Sequence, residues 1–395
     1  MSVVGIDVGR SQHVAAVCRD QAQEAERGVL RVASGREGFD QLDAWMARQG
    51  EVALVVMESS GHYWMPLASH LWARGQPVAV VNPLRAKYFA KSRLQRTKSD
   101  PADARMLAVL GMSTQPTPRE PLAGGELREA SRFVMTLVQE QAKVCQRLQR
   151  LIDLGFPELG DVFEDPGCAS ALAVLRVAPT AAAVRRKRAA SLAAAKAPGG
   201  RRSLGARKAA ELKALAERSV APPELEEQVA FEISVLIGQY DLLESQIKGA
   251  EARLASLLDD DVARRLQSIP GVGPATAATL MAEIGDIWRF DDVDQLLAYA
   301  GVHPREASSG QKGSNPETSW HMAKSGNAHL RTAVYRMALV GTQHNPVIAV
   351  HYRRKREAGK SKMNALGHCM RKALSLVWGV WRNGVDFDPN WGSRA

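Results

Sequence analysis

The stretch "SVVGIDVGRSQHVAAV" (residues 2–17) holds two runs of small and β-branched residues on either side of a polar, glycine-containing turn. That pattern predicts a β-hairpin. A third run, "GVLRVA" (residues 28–33), leads into the helical pattern "REGFDQLDAWMARQ" (residues 36–49). Beyond it "VALVVME" (52–58) and "PVAVV" (77–81) alternate with helical stretches, among them "MPLASHLWARG" (65–75). Three strands, a helix and then alternating strands and helices predict an α/β domain over about residues 1–115.

Four acidic residues of this domain stand out. Asp7 ends the first strand and Glu58 closes "VALVVME", so both can reach one crevice at the sheet surface. The other two lie in "RTKSDPADARMLA" (residues 96–108), which reads as a helix start. Ser99 or Asp100 suits the N-cap, Pro101 the first turn, and Asp103 the exposed N–H groups. Capping accounts for one aspartate or two, yet Asp100 and Asp103 are three apart and share a face. Four carboxylates in a poorly hydrated cleft repel one another unless a cation neutralises them. Oxygen-only ligands select Mg²⁺ or Mn²⁺. Two such ions about 3.5–4 Å apart clamp the attacking and leaving oxygens of a phosphodiester.

The chain has 395 residues, 45% of them hydrophobic, enough for two or three domains. Lys and Arg outnumber Asp and Glu by 52 to 42, a net charge of +10 that suits a partner with a phosphate backbone. The four cysteines are far apart and form no Cys-x-x-Cys pair, which argues against a disulfide framework or a zinc ribbon and for a reducing cytoplasm. No leader pattern and no long apolar run is present, so neither secretion nor a membrane span is expected.

After the Pro-rich link "STQPTPREPLAGG" (113–125), residues 116–260 are expected to form a helical coiled-coil region. It is interrupted at about 156–222 by an Ala-, Arg- and Lys-rich insertion containing "VRRKRAA". The run Arg185, Arg186, Lys187 and Arg188 reads either as a nucleic-acid contact or as part of a solvated helical hairpin with a flexible tip. Residues 261–395 are expected to form a mainly α C-terminal domain. Its segment "SIPGVGPATAATLMAEIGD" (268–286) is similar to a helix-hairpin-helix, whose Gly turn can meet a DNA phosphate. Lys324 and Arg331, at a helix entry, suit phosphate contacts or a solvated face.

The order of "GIDVG", "MESSGHYW", "RTKSDPADARMLA", "SIPGVGPATAATLMAEIGD", "LLAYAGVHPREASSGQKG" and "MAKSGNAHLRTAVYRMAL" closely resembles the DEDD-type insertion-sequence transposases of the family called one-ten. The resemblance covers about residues 3–112 and 262–385. It implies an RNase H-like (RuvC-like) domain, a coiled-coil region and a C-terminal transposase domain with a nucleophilic serine. Carried over by motif, the family's acidic set falls on Asp7, Glu58, Asp100 and Asp103, and its serine on Ser309, beside Ser308. The resemblance also implies a structured guide RNA encoded by the element, DNA at the element ends and target, and a homo-oligomer, a tetramer. The resulting reading is an Mg²⁺-dependent DNA recombinase. Its rivals are a junction-resolving nuclease that uses water and a non-catalytic nucleic-acid-binding scaffold.

Overall fold

The structure, a computed structural model, describes residues 2–19, 28–94, 99–165, 167–198, 200–258, 260–306 and 320–390. It divides into two compact units, residues 1–124 and 125–395.

The first unit runs β1 (Ser2–Val8), β2 (Gln12–Cys18), β3 (Val29–Ala33), α1 (Arg36–Ala47), β4 (Val52–Glu58), α2 (Trp64–Ala73), β5 (Val78–Val81), α3 (Pro83–Ser92) and α4 (Asp100–Thr114). The five strands form one sheet in the order β3-β2-β1-β4-β5. β1, β2 and β3 pair antiparallel, while β4 pairs parallel with both β1 and β5. The expected hairpin closes with the Gly9 amide donating to the Gln12 carbonyl.

Strand alternation divides the side chains between two faces. Val4, Ile6, Val55 and Met57 pack under α1 and α2 with Leu42, Leu67 and Leu71. Val3, Leu54 and Val56 face the other way, against Leu107 and Leu110 of α4. Gly5 lies on that second face, and a Cβ built there would stand 2.1 Å from the Ala108 nitrogen and 2.3 Å from the Ala104 oxygen. The helix backbone therefore rests directly on β1. Farther along α4, a Cβ on Gly111 would meet Val56 Cγ2 at 2.6 Å and Val3 Cγ1 at 2.7 Å. As α4 advances from Ala104 to Gly111, its contacts on β1 move back from Gly5 to Val3, so helix and strand run in opposite directions.

The second unit is mostly helical. Two long helices, α5 (Gly125–Gly155) and α10 (Glu226–Ala255), are separated in sequence by α6 (Ala169–Val177), α7 (Ala181–Arg186), α8 (Ala189–Ala193) and α9 (Ala206–Glu217). The long pair is antiparallel: Val144, Leu148 and Leu151 meet Val229, Ile233 and Ile237 at one end. At the other, Val134 meets Leu254. The basic insertion departs from a solvated hairpin. Its short helices bury Leu172, Leu175, Val184, Leu192, Leu212 and Leu215 in a core shared with the long pair. Alanine is small enough for short helices to approach closely, and the leucines fill what remains.

There follow α11 (Asp260–Gln267), α12 (Pro274–Ile284), α13 (Val293–Ala300), a two-stranded ribbon of β6 (Pro304–Glu306) and β7 (Trp320–Met322), α14 (Ala328–His344), α15 (Pro346–Glu357) and α16 (Lys362–Asn383). α11 and α12 flank the Pro/Gly turn, where Gly271 at φ +98° would place a Cβ 3.3 Å from the Gly341 nitrogen. Among the described residues no helix is long and apolar enough to cross a membrane.

Gly5→Ala should lower stability by about 1–3 kcal/mol in denaturant titration, because the methyl meets helix backbone that cannot rotate away. Gly238→Ala, on an exposed turn of α10 with no atom within 4 Å of the added methyl, should instead gain roughly 0.5–1 kcal/mol.

Candidate active site

The register of the first sheet brings the acids to one edge. Ile6 pairs with Met57 across parallel β1 and β4, so Asp7, the penultimate residue of β1, lies beside Glu58, the last of β4. Alternation puts both on the α4 face, as it does Val3 and Gly5, Leu54 and Val56. Crevices beyond the carboxyl ends of parallel strands are the usual ligand sites of open α/β sheets. Because α4 runs against β1 and touches it at Ala104, its first turn, with Asp100 and Asp103, overhangs the same end of the strand. Ser99 occupies the N-cap position but its side chain makes no capping hydrogen bond.

The carboxylates feel one another. Asp7 is pushed up from 3.8 to about 6, first by burial and then by the charges of Asp103, Asp100 and Glu58, with the Val8 amide opposing. Asp7, Asp103 and Glu58 are half-buried and Asp100 is exposed. They share a field without forming a closed cage: among the described residues no three His, Cys, Asp or Glu side chains stand in metal-holding geometry. The donor set is all oxygen, which fits a hard divalent cation.

Ser309 and Ser308 fall outside the described residues. On the chain that follows that segment, Lys324 is exposed at φ +53°, its amide donating to the Gly301 carbonyl. Arg331 turns inward, its guanidinium donating to the Ala300 carbonyl at 3.1 Å and the Gly326 carbonyl at 3.4 Å. Burial pulls its pKa down. Both line a cleft of about 270 Å³ whose other walls include Met322, Tyr335, Met363 and Met370. In the basic run, Arg185 donates to the Ala216 carbonyl at 2.8 Å and Arg186 pairs with Glu226 at 2.5 Å. Lys187 and Arg188 are exposed.

Sequence reasoning passed over Glu283. It is the one acid within the apolar pattern "ATLMAEIG", and its side chain is fully buried. Arg132 of α5 holds it with two bonds, of 2.7 and 2.9 Å, and the Asn327 amide adds a third at 2.7 Å. Burial pushes the carboxyl up, but these bonds and the Arg132 and His329 charges hold it below its ordinary value. Asn327 also caps α14 through the Leu330 amide, so the pair fixes where α14 begins.

Two outcomes follow from these environments. A raised carboxyl adds stability that is fully present below its unfolded pKa and lost as pH rises through its folded one. In chelator, Asp7→Asn should therefore match wild type near about pH 4 and exceed it at about pH 7 by roughly 1 kcal/mol, a figure discounted for partial solvation. Thermal melts at the two pH values check this. Arg132→Met leaves Glu283 charged and buried without its counter-ion and should cost about 3–5 kcal/mol in denaturant titration.

The family model described as "Transposase", of the DEDD IS110 type, matches residues 4–157. A second, described as "Transposase IS116/IS110/IS902 family", matches residues 263–353. The chain is 27% identical to the mini-circle putative transposase for IS117 of Streptomyces coelicolor, over 97% of this chain and 94% of that one. It is 23% identical to the pilin gene-inverting protein of Moraxella bovis, over 90% and 89% of the two chains. A shorter match, 42% over 20% of this chain and 21% of the relative, is to the transposase for insertion sequence element IS1111A of Coxiella burnetii. With an acidic α/β unit at one end and the second transposase match beyond the helical middle, the chain belongs to the IS110-family transposases.

Proposed function

We propose that this chain is the cytoplasmic DNA recombinase of an insertion sequence, cutting and rejoining strands through Ser309 with the aid of a divalent cation. The observation that carries the reading is the convergence of Asp7, Glu58, Asp100 and Asp103: burial first, and then the charges of the other three, raise Asp7 to about 6. Titratable groups displaced by burial and by like charges in a crevice are a mark of functional sites. The names of the relatives, a putative transposase and a gene-inverting protein, support the rearrangement of DNA as the overall reaction.

Asp7, Glu58, Asp100 and Asp103 would hold Mg²⁺ or Mn²⁺. When bound, such an ion supplies charge neutralisation at a phosphodiester and at its leaving oxygen. The carboxylates of this chain orient the site, and the α4 N-terminus adds its partial positive charge beside them. The Ser309 oxygen attacks phosphorus as its proton passes to solvent water, a serine–phosphate ester forms, and the bond to the departing sugar oxygen breaks, that oxygen taking up a proton from solvent. The ester keeps the phosphodiester energy, so a second strand's hydroxyl can reverse the step without ATP. The element's structured RNA selects the DNA strands, and a tetramer of the chain holds them. The resemblance of the sequence motifs supports these last two assignments.

Asp7→Asn and Asp103→Asn should each lower strand cleavage by at least about 100-fold, the order of a lost catalytic electrostatic group, while leaving DNA retention in a gel-shift assay near wild type. Full activity of either variant, or of wild type in excess chelator, rejects the cation. Ser309→Ala should remove both recombination and the covalent protein–DNA species seen on denaturing gels, with Ser308→Ala retaining them. The opposite pattern moves the nucleophile to Ser308. Cleavage persisting in the double variant makes water the nucleophile, the resolving-nuclease outcome.

A further inference from the structure

Between Asn345 and Val385 the chain carries nine Lys or Arg residues and one acid, Glu357. They build α15, the turn after it and α16, which pack on each other. Arg353, Arg354, Arg356, Lys360, Lys362 and Lys372 are exposed, and among the described residues none forms an ion pair. Arg371 reaches Asp294 of α13 only at 3.9 Å.

At the seam, His351 and His368 stand with ring centroids 6.5 Å apart. Lys355 and Lys372 follow them by one turn on their own helices. Both rings lie below the usual histidine range. Burial is the first cause, followed for His351 by Lys355, His368, Lys372 and Arg354, and for His368 by Lys355, Lys360 and Arg371. α14 packs on both helices, and the charges that weigh most on the two rings come from α15, α16 and the turn between them. Such a concentration of like charge, with Glu357 and the distant Asp294 as its counter-charges, costs free energy in the isolated chain and is relieved by a polyanion.

We propose that the α15–α16 seam is a contact site for the phosphodiester backbone of DNA, with phosphate seated over His351, Lys355, His368 and Lys372. The inference rests on the recombinase reading, which makes DNA the polyanion this chain must hold, and it extends that reading to a surface outside the acidic site. Phosphate contacts of this kind position the duplex without reading its sequence. An anion at the seam also favours the protonated rings, so binding takes up protons and tightens as pH falls through the histidine range, about 6.5 for an ordinary ring.

The test titrates full-length protein with a labelled DNA duplex across a range of salt, at about pH 5.5 and about pH 8, on either side of the histidine range. Lys355→Gln with Lys372→Gln should flatten the slope of log K against log salt by about 1.8, roughly 0.9 for each phosphate that is no longer neutralised. His351→Gln with His368→Gln should keep the slope at the higher pH and lose the tightening at the lower one, about tenfold for each unit of pKa gained on binding. Unchanged slope and pH response in both double variants, with wild type still binding and recombining DNA, overturn the inference and leave the recombinase reading standing. Weakened RNA binding with DNA binding unchanged overturns it in favour of RNA. Wild-type protein that retains no DNA at any salt removes both. The lysine pair decides alone should the histidine pair fold poorly.

Discussion

A helix can rest its backbone on a strand only where the strand has no side chain to hold it off, and Gly5 is that place in β1. The contact is repeated in kind at Gly111, where α4 gives up its own Cβ to Val3 and Val56. These two points fix both the height and the direction of α4 over the sheet. Direction matters most for the chemistry. Run the other way, α4 would carry Asp100 and Asp103 to the far end of β1, away from Asp7 and Glu58. The covering of the sheet and the assembly of the acidic cluster are thus one packing event. Leu107 and Leu110, buried by the same helix, each contribute on the order of 2 kcal/mol to holding it there.

The cluster is arranged at the expense of the unliganded fold. A carboxyl shifted to about 6, first by burial and then by its acidic neighbours, signals a desolvation and repulsion that the surrounding protein must absorb. The same logic with the opposite sign operates in the second unit, where Glu283 is fully buried but matched by Arg132 and Asn327. Burying a matched pair yields little net stability, since desolvation offsets most of the attraction. What the pair supplies is register. A carboxylate with three defined bonds accepts one arrangement of α5, α12 and the start of α14, whereas leucines in its place would tolerate sliding. Crowded like charges in one unit and close charge matching in the other divide the electrostatic roles of the molecule.

Much of the first unit was legible because its signals are local. Strand runs, the Gly-containing turn and the Pro101 helix start are each decided within a few residues, and alternation along "GIDV" and "VVME" already puts Asp7 and Glu58 in step with the core-facing positions. The basic insertion was less legible. Its Ala-rich composition suits a solvated hairpin and a packed helical module equally, and only the partners of Leu175, Leu192 and Leu212 tell them apart.

The sequence by itself determined the order of elements, the identity of the four acids and the excess of positive charge, since these follow from residue type and short-range periodicity. Tertiary structure decided which charges are available. Arg331 looks like a surface cation in the sequence, yet its guanidinium turns inward onto the Ala300 and Gly326 carbonyls. Glu283 passes for an interruption of an apolar helix until Arg132, far away in sequence, is brought onto it. His351 and His368 become a pair only when α15 and α16 fold together. The physical reason is the same in each case. Burial and long-range pairing set the free energy of a charge, and neither is a property of the residue's neighbours along the chain.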